Sequence, residues 1–556
     1  MRKIIIIVLF LLAIIGAVLR FGDQDAREPI PPQTKNKPEL IKAVHYFSSS
    51  WPKTFWGDFE YNQVDDDFAQ IKADGFNTVI LVIPWMGFET GFEDGVSEPS
   101  ALYERLEWLL TKIDQAGLAY GLRISFPHSF DPEIGTSNHQ LCSDIFTDSA
   151  LREQWLHYLS RINQRIDQNR EPFRFAFFSW EDFFCPYASI PNMKPEQRLE
   201  MAKNSGYQTW LAENHTRESV ELLYQQSFHS MGSVPFPKRE SPAFQLFLRF
   251  VDQFLINQLI IPGRQVLPEL AMEVRVDKDP IYDDNETTWF GHDLALSDEQ
   301  LRGSYWGAYF GAGNKGELLN APAALQNFEY MLNEVTDQGK NTNHVVEQFN
   351  FADNTPGFDG HAQIDSAELP AFLEGAAQLL EQKSRGYGLW AYRDYVDSAI
   401  YNGSFELGLR GWETQGEVAT IENSDGDQAL HMQPWAAISQ TFAPFERFAG
   451  LGASEQLTFC ASFTLIAGPA QITLLLNGTN LAALDINEAG QQCVSMDAQA
   501  IKQSEVVFSV VSNAEIQIDD LRLYSFVQIL GVYDKNGDPG PLRDLITRMN
   551  TDWLAD

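Results

Sequence analysis

The chain has 556 residues, of which 44% are hydrophobic and 21% charged, a composition typical of globular proteins and a length that suggests two or more domains. Its 40 Lys and Arg residues face 76 Asp and Glu residues, which gives a formal net charge of −36 at pH 7. A surface of this sign repels phosphate backbones and anionic lipid, so nucleic acid is excluded as a partner and neutral or cationic ligands are favoured.

Residues 1–20 predict an export signal or a membrane anchor. Two basic residues precede an unbroken apolar run over residues 4–19, and Arg20 ends it. This run is short for a bilayer span and typical of the core of an export signal. A cleaved signal and an anchor retained in the inner membrane both remain open. A polar, Pro-rich linker is predicted over residues 21–39, and we expect the rest of the chain in the periplasm or outside the cell.

Export would place the four cysteines in an oxidising compartment, where disulfides can form. Cys142 and Cys185 lie in the first half of the chain, and Cys460 and Cys493 in a later β-rich part. The cysteines have no C-x-x-C spacing, which disfavours a zinc site or a redox motif. Two disulfides, one within each domain, are plausible, and we expect Cys460 to pair with Cys493, because both lie in strand-like segments of one small domain. Buried free thiols are the alternative.

From residue 40 the sequence alternates strand and helix patterns. "IKAVHYF" predicts a strand, "VDDDFAQIKADG" a helix that ends at Gly75, and "FNTVILVIPW" a β-branched strand. Further strands are predicted in "LAYGLRISF", "RFAFFSWEDFF", "LAMEVRV", "SYWGAYF", "HVVEQFN" and "YGLWAY". Between them lie helical patterns that include residues 148–168, 321–338 and 366–383. Eight such strands predict a (β/α)8 TIM barrel over residues 40–398 rather than an open doubly wound sheet.

The segment "GAGNKG" matches the G-x-G-x-x-G pattern of dinucleotide-binding loops. The predicted helix begins several residues after the third glycine, so no helix N-terminus would meet a pyrophosphate. We therefore expect Gly311, Gly313 and Gly316 to shape a loop at the barrel mouth, and we expect no catalytic cofactor.

Catalytic residues of TIM barrels lie where the strands end. The candidate side chains at the predicted strand ends are His45, Arg123, His128, Trp180, Glu181, Tyr309, Glu347 and Trp390. Such a mixture suits a sugar site, because aromatic rings stack on the C–H face of a pyranose and polar groups hold its hydroxyls. His45 and His128 could hold hydroxyls, although a histidine at a strand end is often only a satisfied polar residue. No metal-ligand spacing links them.

Glycosidic bond cleavage needs two carboxyls that flank the bond, one protonated to release the leaving oxygen and one ionised to attack or support the anomeric carbon. Glu181 and Glu347 end the fourth and seventh predicted strands, on opposite sides of one barrel mouth. This placement resembles glycoside hydrolase clan A, the (β/α)8 retaining glycosidases that include many cellulases, mannanases and β-galactosidases. The resemblance implies that Glu181 is the acid/base and Glu347 the nucleophile. An exposed strand-end carboxylate is the alternative for each.

One position departs from the clan pattern. The clan usually has Asn immediately before the acid/base, to hold the sugar's 2-hydroxyl, and this chain has Trp180. We expect Trp180, Phe183 and Phe184 to exclude water from Glu181, to raise its pKa and so to keep it protonated as an acid. The departure keeps a second class of function open, namely a non-catalytic glycan-binding protein or an exopolysaccharide-secretion scaffold on a glycosidase fold.

The nucleophile needs the opposite environment, and Glu347 would stay ionised if Arg123 or Tyr309 hydrogen-bonds it. The resemblance implies that Tyr309 steadies the nucleophile and that Trp390 stacks the sugar, with ordinary packing at the barrel rim as the alternative for both. The leading prediction is an exported retaining β-glycosidase that acts on a polysaccharide or oligosaccharide.

Residues 399–526 lose helical periodicity and predict short strands separated by Gly, Asn and Asp turns, among them "LTFCASFTL" and "VVFSVVS". This segment resembles the jelly-roll carbohydrate-binding modules. Its opening "NGSFELGLRGWE" and closing "IDDLRLY" resemble the paired edge strands of that family, which often hold a structural calcium. The resemblance implies Glu406 and Asp519 as calcium ligands, and solvated acids at a strand end are the alternative.

Residues 527–556 end in a predicted helix with Leu542, Leu545, Ile546 and Met549 on one face. A barrel that stops at the eighth strand lacks its eighth helix, and "GVYDKNGDPGPLRDLI" resembles the stretch that follows the eighth strand in many clan A enzymes. We therefore predict that the sandwich is inserted between strand eight and helix eight. A tandem sandwich followed by a loose amphipathic tail is the alternative.

Overall fold

The computed structural model describes residues 39–52, 54–58, 61–90, 98–99, 101–125, 138–178, 190–277, 289–292, 301, 305–314, 316–338, 343–356, 361–422, 427–442, 456–497 and 506–554. The predicted signal or anchor and all but the end of the linker lie outside these residues. Eight parallel strands form the barrel: β1 (Ile41–His45), β2 (Thr78–Pro84), β3 (Ala119–Ser125), β4 (Phe173–Phe177), β5 (Leu270–Ala271 and Glu273–Asp277), β6 (Trp306–Gly311), β7 (His344–Asn350) and β8 (Gly386–Leu389).

Strand β5 closes the barrel. Its first half, Leu270–Ala271, pairs with β4, and its second half, Glu273–Asp277, pairs with β6. The remaining strands are hydrogen-bonded in the order β4, β3, β2, β1, β8, β7, β6. The predicted (β/α)8 barrel is therefore confirmed. Its strands are apolar on both faces, as in β2, where every residue is buried, because a parallel barrel sheet packs on its own interior and on the surrounding helices.

Helices follow the strands on the outside of the barrel. They are α1 (Val64–Ala73) after β1, α2 (Leu102–Gln115) after β2, α3 (Asn138–Thr147) and α4 (Ser149–Gln168) after β3, α5 (Pro195–Asn204), α6 (Tyr207–Asn214), α7 (Arg217–Tyr224) and α8 (Phe244–Leu255) after β4, α9 (Ala321–Gln338) after β6, and α10 (Leu369–Lys383) after β7. A helical stretch continues α8 to Arg264 and is long and apolar enough to cross a membrane, although just over half of it is buried inside the protein.

Two glycines show why the sequence permits this packing. Gly75 follows α1 with φ at 81°, a left-handed conformation that ends the helix without steric cost. Gly386 begins β8 with φ at 136°, and a Cβ there would lie 1.9 Å from the carbonyl oxygen of Ile41. Only glycine lets β8 approach β1 this closely.

The second part of the chain is a β-sandwich of two five-stranded antiparallel sheets. Its strands are β9 (Glu413–Gln415), β10 (Val418–Glu422), β11 (Gln428–Met432), β12 (Ala437–Phe442), β13 (Gln456–Leu465), β14 (Ala470–Leu476), β15 (Thr479–Ile486), β16 (Gly490–Asp497), β17 (Val506–Ser512) and β18 (Ile516–Tyr524). One sheet has the order β9, β12, β17, β14, β15, and the other β10, β11, β18, β13, β16. Inward side chains of both sheets, such as Phe459 and Phe508, form one apolar core.

A disulfide joins an edge strand of this sandwich to its neighbour. Cys460 on β13 lies directly opposite Cys493 on β16, and their sulfurs are 2.05 Å apart. The predicted pairing of these two cysteines is confirmed. Cys185 and the side chain of Cys142 lie outside the described part of the chain.

The sandwich is inserted between β8 and the last barrel helix, as predicted. At the junction, Tyr395 pairs with Gln528 and Val396 with Val527 in a short antiparallel ladder, so that the chain leaves and re-enters the barrel at one place. The closing helix α11 (Arg543–Arg548) continues as a π-helical turn over Met549–Trp553 and packs against α10.

Asp74, buried at the end of α1, anchors the closing segment. Its carboxylate accepts hydrogen bonds from the Tyr533 hydroxyl at 2.6 Å and from Thr547 Oγ1 at 3.0 Å, and it forms an ion pair with Arg543 at 3.0 Å. Asn550 donates to the Asp74 carbonyl at 3.0 Å and accepts from the Tyr387 hydroxyl of β8 at 2.6 Å. The last helix is therefore bound to the first helix and to the eighth strand, which is the position of helix eight in a barrel.

Candidate active site

Glu347 on β7 and Arg123 on β3 meet inside the barrel. Both side chains are fully buried, and Arg123 Nε lies 3.2 Å from Glu347 Oε2. A buried carboxylate needs a charged partner or several hydrogen bonds, because desolvation penalises its ionised form. The guanidinium supplies that partner and stabilises negative charge on Glu347.

A bulge in β7 positions Glu347. On one side, Gly307 of β6 pairs with Val345 and Tyr309 pairs with Gln348, so that β7 has two residues between these pairs where β6 has one. On the other side, β7 again carries one residue more than β8, between Val346 and Phe349. The extra residue that satisfies both registers is Glu347. Such bulges re-aim a side chain and are frequent next to active sites.

The strand does not end at Glu347, as the sequence analysis expected, but continues through Asn350. The three residues beyond Glu347 stay paired with β6 because the bulge takes up the extra residue. Gly307 makes room for the carboxylate, since a Cβ at that position would lie 2.7 Å from Glu347 Cγ. The barrel thus holds Glu347 in mid-strand with its side chain inside.

Arg123 also contacts β5. Its Nη2 donates to Glu273 Oε2 at 2.8 Å, and its Nη1 donates to the Gln348 side-chain oxygen at 2.8 Å. Glu273 is buried as well. One guanidinium therefore links carboxylates on β5 and β7, and the side chain of Arg123 is fixed at three of its nitrogens.

His45, the last residue of β1, is the next group inside the barrel. Its Nδ1 lies 3.1 Å from the Leu389 carbonyl, which can only accept, so Nδ1 carries the proton. Burial, and then the charge of Arg123, lower the pKa of His45 well below its ordinary value. The imidazole is therefore neutral, and its Nε2, 3.8 Å from Glu347 Oε2 and 3.4 Å from Arg123 Nη1, is an acceptor.

Aromatic rings border this centre. Trp390, directly after β8, lies 4.8 Å from the His45 ring and 5.1 Å from Phe47, centroid to centroid. Its indole donates to the Tyr395 hydroxyl at 3.3 Å. Tyr309 on β6 lies under the guanidinium of Arg275, which is 3.8 Å from the ring centroid. Trp390 and Tyr309 are both nearly buried.

The structure thus brings together four of the residues that the sequence singled out, namely His45, Arg123, Glu347 and Trp390, and places Tyr309 on the neighbouring strand β6. Glu181, Trp180 and His128 lie outside the described residues. The glycine segment does not form a strand–turn–helix unit: Gly311 ends β6, residues Leu318–Leu319 pair with Gln363–Ile364, and α9 begins only at Ala321.

Sequence reasoning missed Glu273, Arg275 and Gln348. All three lie in buried parallel strands, where a charged or amide side chain requires a partner. The charged pair in "LAMEVRV" and the Gln after Glu347 in "HVVEQFN" were signals that could have identified them.

Glu406 and Asp519, the predicted calcium ligands, lie at the contact between barrel and sandwich. Glu406 Oε2 forms an ion pair with Arg105 of α2 at 2.9 Å, and its Oε1 accepts the Gln428 backbone N–H at 2.7 Å. Burial and the neighbouring carboxylates of Asp520 and Asp427 raise the pKa of Asp519. Across the described ranges, no group of three or more His, Cys, Asp or Glu side chains is arranged to hold a metal ion.

The fold and the site together define a (β/α)8-barrel protein with a buried carboxylate–guanidinium centre and an inserted sandwich. The sequence matches no family model, and no curated protein is significantly similar to it. The closed ring of eight parallel strands defines the fold.

Several solved glycosidase structures share low similarity with the chain. An exo-β-1,4-mannosidase from an Opitutaceae bacterium is 12% identical, with a TM-score of 0.38 over 65% of this chain and 53% of that chain, so the match spans about half of that protein. A β-glucosidase from Thermotoga maritima is 10% identical, with a TM-score of 0.37 over 65% and 90%. An endo-1,4-β-mannanase from Rhizomucor miehei is 9% identical, with a TM-score of 0.35 over 65% and 88%.

Proposed function

We propose that the protein is an exported retaining β-glycosidase that hydrolyses a polysaccharide or oligosaccharide with Glu347 as the nucleophile. The observation that carries this proposal is the buried carboxylate of Glu347, presented by a strand bulge and paired with Arg123. A buried carboxylate that is paired with a guanidinium and presented by a strand bulge is suited to attack on carbon.

Glu181 is the proposed acid/base. It follows β4, which ends at Phe177, and β4 and β7 lie on opposite sides of the closed barrel. In the first step Glu181 would donate its proton to the leaving oxygen while a Glu347 oxygen bonds to the anomeric carbon, which breaks the glycosidic bond. In the second step Glu181 would take a proton from water, whose oxygen displaces Glu347 and regenerates both carboxyls.

The surrounding side chains have matching roles in this proposal. Arg123 would hold the nucleophile's carboxylate in one orientation before and after each step. Neutral His45 would accept a hydrogen bond from a sugar hydroxyl at Nε2, in place of its 3.4 Å contact with Arg123 Nη1. Trp390 would present its ring to the C–H face of the pyranose at the rim, and Tyr309, on the strand paired with β7, would steady the nucleophile.

The inserted sandwich is proposed to extend substrate binding. It is held against the barrel by the ion pair between Arg105 and Glu406, and by Arg522, which donates to Ser49 Oγ at 2.7 Å beside β1. Ser49 lies just beyond the C-terminal end of β1, so the sandwich lies on the same side of the barrel as the strand ends. Trp435, at 75% exposure, offers a flat aromatic surface on the sandwich.

Export to the periplasm or beyond, with or without an inner-membrane anchor at residues 4–19, completes the proposal. The second candidate is a non-catalytic glycan-binding or secretion scaffold. It is favoured by Trp180 in the place of the clan's Asn, since an enzyme of this type would otherwise hold the 2-hydroxyl there.

A hydrolysis screen tests both candidates. The full chain and its Glu347→Gln variant are incubated with a panel of β-linked glucans, mannans, xylans and galactans and with the corresponding aryl glycosides. Glu374→Gln, an exposed change on α10, is the matched control. We expect turnover by the wild type and the control and its loss in Glu347→Gln with glycan binding retained. Binding without turnover by the wild type would select the scaffold, and equal turnover by Glu347→Gln would reassign the nucleophile.

A further inference from the structure

The helices that follow β3 and β4 enclose a cleft outside the barrel. Its volume is about 370 Å³, and it is bordered by α3, α4, α6 and α8. This size lies within the range of about 300 to 1,000 Å³ that small-molecule sites occupy. The residues that matter for its chemistry are Phe146, Arg152, Trp210, Phe250, Gln253 and Phe254.

Trp210 is held rigidly at the edge of this cleft. Its indole N–H donates to the Gln253 side-chain oxygen at 2.5 Å. The ring lies parallel to Tyr207, with a centroid distance of 6.0 Å, and edge-on to Phe250 at 5.9 Å. Trp210 is only partly buried, so a fixed aromatic face borders the cleft. A ligand that stacks on this ring would pay little for ordering it.

Polar groups surround the aromatic floor. The Arg152 guanidinium lies 5.5 Å from the centroid of the Phe254 ring and donates to the Ile145 carbonyl at 2.7 Å, which leaves further N–H groups for the cleft. Exposed amides of Asn204, Gln253, Asn257 and Gln258 and the carboxylate of Glu213 complete the lining. One positive charge is matched by one negative charge, so the cleft is neutral although the chain is strongly acidic.

The position of the cleft relates it to the barrel mouth. In a (β/α)8 barrel each helix runs from the C-terminal ends of the strands back to their N-terminal ends. Arg152 lies in the first turn of α4, which begins at Ser149. This side of the cleft therefore lies towards the C-terminal ends of the strands.

We propose that this cleft is an accessory site for a neutral oligosaccharide segment. An aromatic face combined with planar amide, carboxylate and guanidinium groups is the chemistry that binds pyranose rings and their hydroxyls. A charged glycan is disfavoured, because the lining of the cleft carries no net charge that would attract it. A peptide helix would need a continuous apolar groove, and here polar side chains surround the rings. The choice of a glycan as the ligand rests on the proposed function, whereas the shape and lining of the cleft are independent of it.

The test measures binding in the Glu347→Gln background, so that no probe is consumed. The probes are hexasaccharides of β-1,4-glucan, β-1,4-mannan and β-1,3-glucan, with oligogalacturonate as the charged arm and an amphipathic helical peptide as the protein arm. Titration calorimetry counts the sites per chain. Trp210→Ala and Gln253→Ala remove the stacking face and its hydrogen-bond partner. Trp108→Ala, another partly buried tryptophan on a barrel helix, is the matched control.

We expect Trp210→Ala to remove one glycan site, Gln253→Ala to weaken the same site about tenfold, and Trp108→Ala to change neither. Thermal unfolding at the wild-type temperature verifies that the variants fold. In the active chain, Trp210→Ala should reduce turnover of polymer but not of an aryl monoglycoside. Unchanged site number and affinity, binding of only the charged or peptide probe, or no binding of any probe overturns the proposal. If the chain hydrolyses no substrate but still binds glycan in a Trp210-dependent way, the proposed glycosidase activity is wrong and the proposed accessory site stands.

Discussion

Glu347 on β7 and Glu273 on β5 share one arginine. Arg123 Nε lies 3.2 Å from the first carboxylate and Arg123 Nη2 lies 2.8 Å from the second. All three side chains are buried, so neither carboxylate can exchange the guanidinium for water. The orientation of Arg123 at the proposed nucleophile therefore depends on a residue that contacts no substrate in the proposed mechanism.

Replacing Glu273 by Gln should lower kcat. Glu273 acts as a positioning residue, and without its charge Arg123 would form a closer pair with Glu347 and weaken it as a nucleophile. We expect kcat to fall by about 10 to 100-fold, in the range of outer-shell substitutions, with KM changed far less. Steady-state kinetics on an aryl glycoside measure this split. Glu273→Asp should restore part of kcat, and a loss confined to KM would show that Glu273 acts on binding instead.

The stereochemical outcome should be retention. A covalent route requires the Glu181 and Glu347 carboxyls to lie about 5 to 5.5 Å apart, whereas a separation near 9 Å would leave room for water and give inversion. Proton NMR of the first-formed product distinguishes the two anomers before mutarotation. An inverted first product would show that water, rather than Glu347, attacks the sugar.

The closing helix should be essential for barrel stability. Asp74→Ala removes the buried acceptor of two hydroxyl hydrogen bonds and of an ion pair with the partly exposed Arg543, which we expect to cost about 1 to 3 kcal/mol. Deleting residues 530–556 should be more damaging, because it also exposes the apolar flank between α1 and α10. Denaturant unfolding measures both. Asp552→Ala, an exposed acid on the same helical segment, is the control that should stay within about 0.5 kcal/mol of wild type.

Acid should destabilise the fold through His344 on β7. Burial lowers the pKa of His344 from 6.5 to about 4, so between these values the unfolded chain binds a proton that the folded chain does not. Stability attributable to this group is complete above pH 6.5 and falls as the pH drops towards 4, by roughly 3 kcal/mol in all. His344→Phe should give a shallower decline in unfolding free energy over this range. An unchanged slope would assign the acid sensitivity to other groups.

Calcium should raise the melting temperature if Glu406 and Asp519 bind it. Burial, and then repulsion from Asp520 and Asp427, raise the pKa of Asp519, and a bound divalent cation would offset the repulsion. We expect an upward shift of several degrees with calcium that is reversed by chelator and absent in Asp519→Asn. Magnesium is the control cation. Identical melting curves with and without calcium would show that Glu406 and Asp519 do not bind it. Glu406 would then serve only to pair with Arg105 among the described residues.

Hydrophobic patterning predicted most of the fold. Strands such as β2 are apolar throughout because both faces are buried, and α9 occupies the residues that its periodicity indicated. The most polar strand of the sandwich, β9, was missed, and β16 was recognised only around Cys493. Strand β9 is exposed at all three residues and β16 at most of its residues, so neither shows the alternation of a half-buried strand. Their pairing is set by neighbours distant in sequence.

The site was predicted in part. A lone acid in an apolar strand identified Glu347, because such a residue requires a reason to be buried. Neither the bulge at that position nor the contact between Arg123 and Glu273 could be predicted, since both depend on register between strands far apart in the chain. Arg123 was one of the two partners that the sequence suggested for Glu347, and the structure pairs them, but the second carboxylate on this arginine, Glu273, could not be recognised.

The position of the closing helix in the chain has a consequence for synthesis. Strand β8 ends at Leu389 and α11 begins at Arg543, so the ribosome produces the entire sandwich before the helix that seals the barrel. Until α11 has been made and packed, the flank between α1 and α10 is open to water and available to chaperones and proteases. Any nascent chain that stops early carries a folded sandwich on an unsealed barrel. Sealing of the barrel thus depends on a helix that is synthesised only after the whole sandwich.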